Sequence, residues 1–246
     1  MTLPADLCIS TLDKIVANTG STEILGADGG PVEVLTSVMG PDPVGSVRVF
    51  TGDKVAKIVY IGVVVPQIGL DSHMVFAFMP ENSPVPHYTL DSVQAGGHLA
   101  FHLDLIQRVD AGTHMVTTDW SHTPISEAFE KLTSSEGLSK AALEPRQLTV
   151  MSSWMVANRA TEEAFAALNE PVNAYLDHWL TLVNNEIPAE VVADVADTDL
   201  AVRDAKNRAL LFSPEVDKVW AQMTRLLGEE TAERLRLHLV SNDLPA

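Results

Sequence analysis

The segment from His87 to Leu105 concentrates side chains able to do acid–base chemistry. His87, Thr89, Asp91, His98, His102 and Asp104 alternate with Tyr88, Leu90, Leu99, Phe101, Leu103 and Leu105, and Gln94-Ala95-Gly96-Gly97 interrupts the alternation. A period of two belongs to a β-strand, so two antiparallel strands about a Gly-containing turn place the polar set on one face and the apolar set on the other. Setting residue 93 opposite 98 pairs 91 with 100, 89 with 102 and 87 with 104. Three readings of the polar face follow. It is a solvated face, the usual fate of one side of an antiparallel hairpin; it lines a ligand cavity, where carboxylates and imidazoles act as general acids and bases; or it binds a metal. His98-x-x-x-His102 has the spacing of a helical zinc pair, but on a strand the rings stand roughly 13 Å apart, too far for one ion. No metal is expected.

The elements that must position these residues read as a helix, about six strands, then several helices. Residues 5–18 place Leu7, Leu12, Ile15 and Val16 at helical spacing before Gly20. From 31 to 107 the pattern is β: Ser46–Thr51 alternates, Gly52-Asp53 turns, Lys54–Pro66 is apolar on both faces, and His73–Met79 is similar. Helical spacing returns after residue 120, with helices expected over about 123–131, 161–183, 199–211, 214–227 and 229–240, and a loop over 184–199. This predicts an α+β fold, a three-layer α/β/α sandwich with a central antiparallel sheet flanked by helices, formed by 1–246 as a single domain.

Composition narrows the function. Lys and Arg total 16 against 33 Asp and Glu, a formal charge of −17, which disfavours nucleic acid and anionic membranes as partners. No apolar run is long enough for a membrane span, and no leader pattern opens the chain, so a cytoplasmic protein is expected. The one cysteine, Cys8, excludes an internal disulfide and reads as helix packing. Neither a G-x-G-x-x-G, a P-loop nor a G-x-S-x-G motif is present. Trp154, Trp179 and Trp220, with Met151, Met155 and Met223, read as core residues at helical spacing, or as a flat apolar surface for a ligand.

Two segments carry a family likeness. Met79-Pro80-Glu81-Asn82-Ser83-Pro84-Val85-Pro86-His87-Tyr88-Thr89-Leu90-Asp91, with Gln94–Gly97 and Leu103-Asp104-Leu105 after it, resembles the ferredoxin-dependent bilin reductases and red chlorophyll catabolite reductase. Asp217-Lys218, Arg225–Glu230 and Ala232-Glu233-Arg234, with Arg203-Asp204 upstream, are similar to the families' C-terminal helices, and the likeness spans about 55–240. It implies an open-chain tetrapyrrole lying between the sheet and the C-terminal helices. Asp91 and Asp217 would transfer protons, coupled to single electrons from an external donor such as ferredoxin, with no tightly bound cofactor. The bilin reductases' strand histidine matches Val75, with His73 two residues away, and their strand glutamate falls among apolar residues near Ile61–Val63.

The expected site therefore has Asp91, Asp217 and His87 as catalytic residues, His87 positioning the ligand or relaying protons, and His73, Val75, His102, Asn207 and Trp220 against the substrate. Asp217, following Ser213-Pro214, also suits the first turn of a helix for dipole reasons alone. Arg203, Lys206, Arg208 and Lys218 are the candidates for a basic patch receiving an acidic ferredoxin. The first expectation is a reductase of a conjugated, open-chain ligand; the alternative is a cofactor-free lyase or isomerase acting on a smaller aromatic compound, and a third is a pigment carrier.

Overall fold

The computed structural model describes residues 1–245 and is built on one antiparallel sheet. Among these residues the order is α1 (Leu3–Thr19), β1 (Thr22–Ile24), β2 (Glu33–Ser37), β3 (Gly40–Thr51), β4 (Lys57–Val65), β5 (Leu70–Phe78), β6 (His87–Ala95), β7 (His98–Ile106), α2 (Met115–Ser121), α3 (Ser126–Ser134), β8 (Leu138–Lys140), α4 (Pro145–Leu148), β9 (Val156–Ala160), α5 (Glu162–Ala166), α6 (Asn169–Asn184), α7 (Ala189–Asp194), α8 (Leu200–Leu211), α9 (Val219–Leu227) and α10 (Glu229–Val240). The strands run β1-β3-β4-β5-β6-β7-β9-β8 across the sheet, with β2 also paired to β3.

Strand parity divides the core in two. On β4, Ile58 and Tyr60 point to a cluster built with Leu12 and Ile15 of α1 and Tyr175 and Trp179 of α6. Val59, Ile61 and Val63 point the other way, to Leu211 of α8, Met223 of α9 and Leu235 of α10. A strand buried on both faces has no polar side, which is why β4 reads KIVYIGVVV. The α/β/α sandwich expected from the sequence is the observed architecture.

Several local expectations are corrected. Gly96 and Gly97 both have positive φ (55° and 81°), the geometry of a two-residue hairpin turn, so β6 and β7 extend to Ala95 and His98. Asp91 therefore faces His102, Thr89 faces Asp104 and His87 faces Ile106. The register moves by two residues, an even step, and the polar and apolar faces stay as the alternation placed them. The single helix expected over 161–183 is broken into α5 and α6, with Pro171 in the first turn of α6 where a missing N–H costs least. The loop over 184–199 contains α7. Met151, Trp154 and Met155 lie in a turn-rich segment before β9, not on a helix.

One end of the helical layer is fastened to the sheet. Lys57 at the start of β4 donates to the carbonyls of Ser241 and Asp243 (3.3 and 2.6 Å), Arg208 of α8 to those of Leu239 and Ser241 (both 2.8 Å), and Asn242 to that of Met79 (3.2 Å).

Candidate active site

The cavity-facing side of the sheet is assembled row by row. Antiparallel pairing sets Val47, Ile61, Met74, Asp91, His102 and Ala157 side by side from β3 to β9. Above this face, α8, α9 and the 213–218 turn leave a cavity of about 770 Å³, within the usual range for small-molecule sites. Its walls are mostly apolar, with Phe76, Met151, Phe212 and Met223 among them.

Asp91 and Asp217 both line this cavity, as do His102 and Trp220. Asp217 precedes α9 and is not in its first turn; its Oδ1 accepts the Val219 N–H at 3.0 Å. Burial raises its carboxyl above the ordinary range, the Val219 N–H opposes this, the Asp91 charge adds to the rise and His102 offsets part of it. His102 Nδ1 lies 3.4 Å from Asp91 Oδ2. Burial pulls the imidazole down, but the hydrogen bond to Asp91 and the charges of Asp91, Asp104 and Asp217 outweigh it, so its pKa is above the usual histidine value.

Four buried polar atoms on residues of this wall have no partner in the protein: Thr89 Oγ1, Asp91 Oδ1, His102 Nε2 and Trp220 Nε1. Buried polar groups are nearly always hydrogen-bonded, and a half-satisfied set costs stability. All four belong to residues that line one apolar cavity, although the atoms themselves have almost no accessible surface.

The other expected site residues lie elsewhere. His87 is fully buried outside the cavity: its Nδ1 accepts the Met79 N–H at 2.9 Å, which leaves the proton on Nε2, donated to Asp204 at 2.7 Å. Burial first, then the Arg108 charge, holds its pKa down to about 3. A ring with both nitrogens committed and no contact with the cavity relays no proton to a ligand there. His73 and Val75 are on the opposite face, because odd positions of β5 point to α1; Met74 faces the cavity in their place. His73 is held between Tyr60 Oη and Asp71 Oδ1, both at 2.7 Å. Asn207 stands off the wall with its side chain 3.4 Å from the Val150 carbonyl.

Asp104 accepts from Ser152 N (3.0 Å) and Ser152 Oγ (2.5 Å), tying the 149–155 turn to β7. Of the four cations expected to form a basic patch, Arg208 is buried with its guanidinium 3.7 Å from the Phe78 ring centre, Arg203 bonds the Gln107 carbonyl, Lys218 pairs with Glu144, and Lys206 is exposed on α8. Cys8 is buried against the sheet, and burial pushes its thiol up. The residues missed from the sequence are Met74 and Thr89, both legible once the parity of Asp91 is carried across the sheet. Among the described residues no helix is long and apolar enough to cross a membrane.

A solved structure matches this arrangement of sheet and helices: phytochromobilin synthase from tomato, crystallised in complex with biliverdin, with a TM-score of 0.71 and 14% identity, over 97% of this chain and 84% of that one. The chain has the phytochromobilin synthase fold. No protein-family model and no curated protein matches the sequence. At this identity the likeness lies in the backbone, and function has to be argued from the side chains in the cavity.

Proposed function

We propose that this protein is a reductase of an open-chain tetrapyrrole, or of a similarly extended conjugated ligand, held between the sheet and α8–α9. The carrying observation is the set of four unpartnered polar atoms around one apolar cavity that both Asp91 and Asp217 enter. Apolar walls suit a flat conjugated body, and the polar side chains among them, Thr89, Asp91, His102 and Asp217, suit pyrrole N–H and lactam C=O groups. Asp217, whose carboxyl burial pushes above the ordinary carboxylate range, is the acid, and Asp91 passes a second proton. Electrons come singly from an external donor such as ferredoxin, with no tightly bound flavin, nicotinamide or metal. That the structural neighbour was crystallised with biliverdin supports this ligand class.

Titration of the purified protein with biliverdin and with chlorophyll catabolites, followed by anaerobic addition of a one-electron donor, tests the reading. A bound-ligand spectral shift at tens of micromolar or below and donor-dependent bleaching are expected; no shift removes the tetrapyrrole. One feature favours a second reading, a cofactor-free lyase or isomerase on a smaller aromatic compound. The cavity face of β4 offers only Ile61 and Val63, with no side chain able to transfer a proton. Turnover without any electron donor selects that reading.

A further inference from the structure

We propose that His102 is the proton store for Asp91, a positioning residue through which the proton delivered by that carboxylate is held and replaced. This rests on the reductase reading. His102 and Asp91 occupy directly opposed positions of β6 and β7 on the cavity face, with Nδ1 and Oδ2 3.4 Å apart. The remaining polar atom of each, Nε2 and Oδ1, is buried without a partner in the protein. A contact of this length in an unliganded site shortens readily when a ligand closes it.

The surroundings favour a proton on this ring. Asp91 faces it from β6, Asp104 lies on its own strand, and Asp217 approaches from the turn before α9. From β9 the opposed residue is Ala157, and the wall nearby carries the neutral Asn158. Arg225, at the α9 side, is the cation of the cavity lining. The contrast with His87 is geometric: there Nδ1 is occupied by a backbone N–H, whereas both nitrogens of His102 are free to carry hydrogen.

The step balances as follows. One electron from an external iron–sulfur donor reduces the bound ligand. The His102 Nδ1–H bond breaks as an O–H bond forms at Asp91 Oδ2; that O–H then breaks as a new bond to hydrogen forms on the ligand. His102 is left neutral and Asp91 ionised. The second electron also comes from the donor, and the second proton comes from the Asp217 carboxyl. The ligand has then gained two electrons and two protons, and two donor molecules have been oxidised. Before the next turnover solvent returns one proton to His102 Nδ1, the nitrogen that lost it, and one to the Asp217 carboxylate.

The test has three arms, all on the full chain. Histidine NMR titration of the unliganded protein should show His102 holding its proton to higher pH than in Asp91→Asn. In His102→Gln, which keeps an N–H toward Asp91 but stores no proton, biliverdin should bind within about threefold of wild type while turnover falls about 100-fold. In His102→Ala, added imidazole should restore turnover. Turnover of His102→Gln within about threefold of wild type, or an unchanged His102 titration in Asp91→Asn, overturns the proposal and leaves the reductase reading standing. Failure of the wild type itself to bind or reduce biliverdin overturns the reductase reading, and the proposal with it.

Discussion

Replacing Asp204 by Asn isolates the electrostatics that hold the C-terminal layer in place. Asp204 Oδ1 lies 3.3 Å from Arg108 Nε, and Oδ2 lies 3.7 Å from Arg208 Nη1; both arginines are 1% exposed. Burial alone would raise the Asp204 carboxyl, but the His87 hydrogen bond and the Arg108 and Arg208 charges hold it at about 2, so it is ionised at neutral pH. At an effective dielectric of about 20 each pair is worth at most about 4–5 kcal/mol, and removing one partner of a buried pair costs about 3–5 kcal/mol. Both arginines also donate to backbone carbonyls, and Asn still accepts from His87, so about 3 kcal/mol is expected. With a urea slope of about 3 kcal/mol/M, the unfolding midpoint falls by about 1 M. Tryptophan fluorescence reads this directly, since Trp179 and Trp220 are buried. The acid limb carries a second signature. His87 has a folded pKa of about 3 against about 6.5 unfolded, so the unfolded chain takes the proton first, and stability declines as pH falls from about 6.5 toward 3. His87→Gln should flatten that decline. A midpoint for Asp204→Asn within about 0.3 M of wild type would refute the argument, because it would mean the two cations are solvated or otherwise compensated.

Asp91→Asn should bind the conjugated ligand within about threefold of wild type and lose about 100-fold or more in turnover, whereas Asp104→Asn should lower stability by about 1–3 kcal/mol and spare ligand affinity. The reverse pattern would show that the site is assigned to the wrong strand positions. If Asp217 is the protonated acid, as proposed, its raised pKa means that turnover should be highest on the acidic side and fall as pH rises through that pKa; Asp217→Asn should abolish this limb. A Cβ added at Gly62 would stand 2.8 Å from Tyr60 Oη and 3.3 Å from His73 Nδ1. Gly62→Ala should therefore cost about 1–3 kcal/mol by thermal melting and leave ligand affinity unchanged, since the contact is on the face away from the cavity.

The alternation at 87–105 exposes the cavity face because a sheet covered by helices on both sides has no solvated face to hold polar residues at every second position. Residue type alone does not rank the histidines on or near that face. His87 and His102 share it, yet one is sealed by a backbone N–H and a buried carboxylate, and the other lines the cavity beside Asp91. The register is displaced because Gln94–Gly97 reads as a four-residue turn, when two glycines at positive φ suffice. The placing of His73 and Val75 rests on likeness to another sequence, in which an error of one residue exchanges the faces of a strand. The β9 strand, VANRA, is too short and too polar to register as periodic; its place is set by pairing with β7. Trp154 and its neighbouring methionines have helical spacing without a helix, because apolar residues close in sequence pack against the core from a turn equally well.

The fastening of residues 241–243 to Lys57, Arg208 and Met79 has a directional consequence for traffic. It lies where β4 begins and β5 ends, while Ile68 and Met39, both more than half exposed, stand at the other end of the cavity beside Leu70 and Ala95. The cavity is thus a sleeve sewn shut at one end. On the proposed function, a long ligand would enter lengthwise past Met39 and Ile68, bring its leading end toward Phe76 and Thr89, and leave as product by the same route.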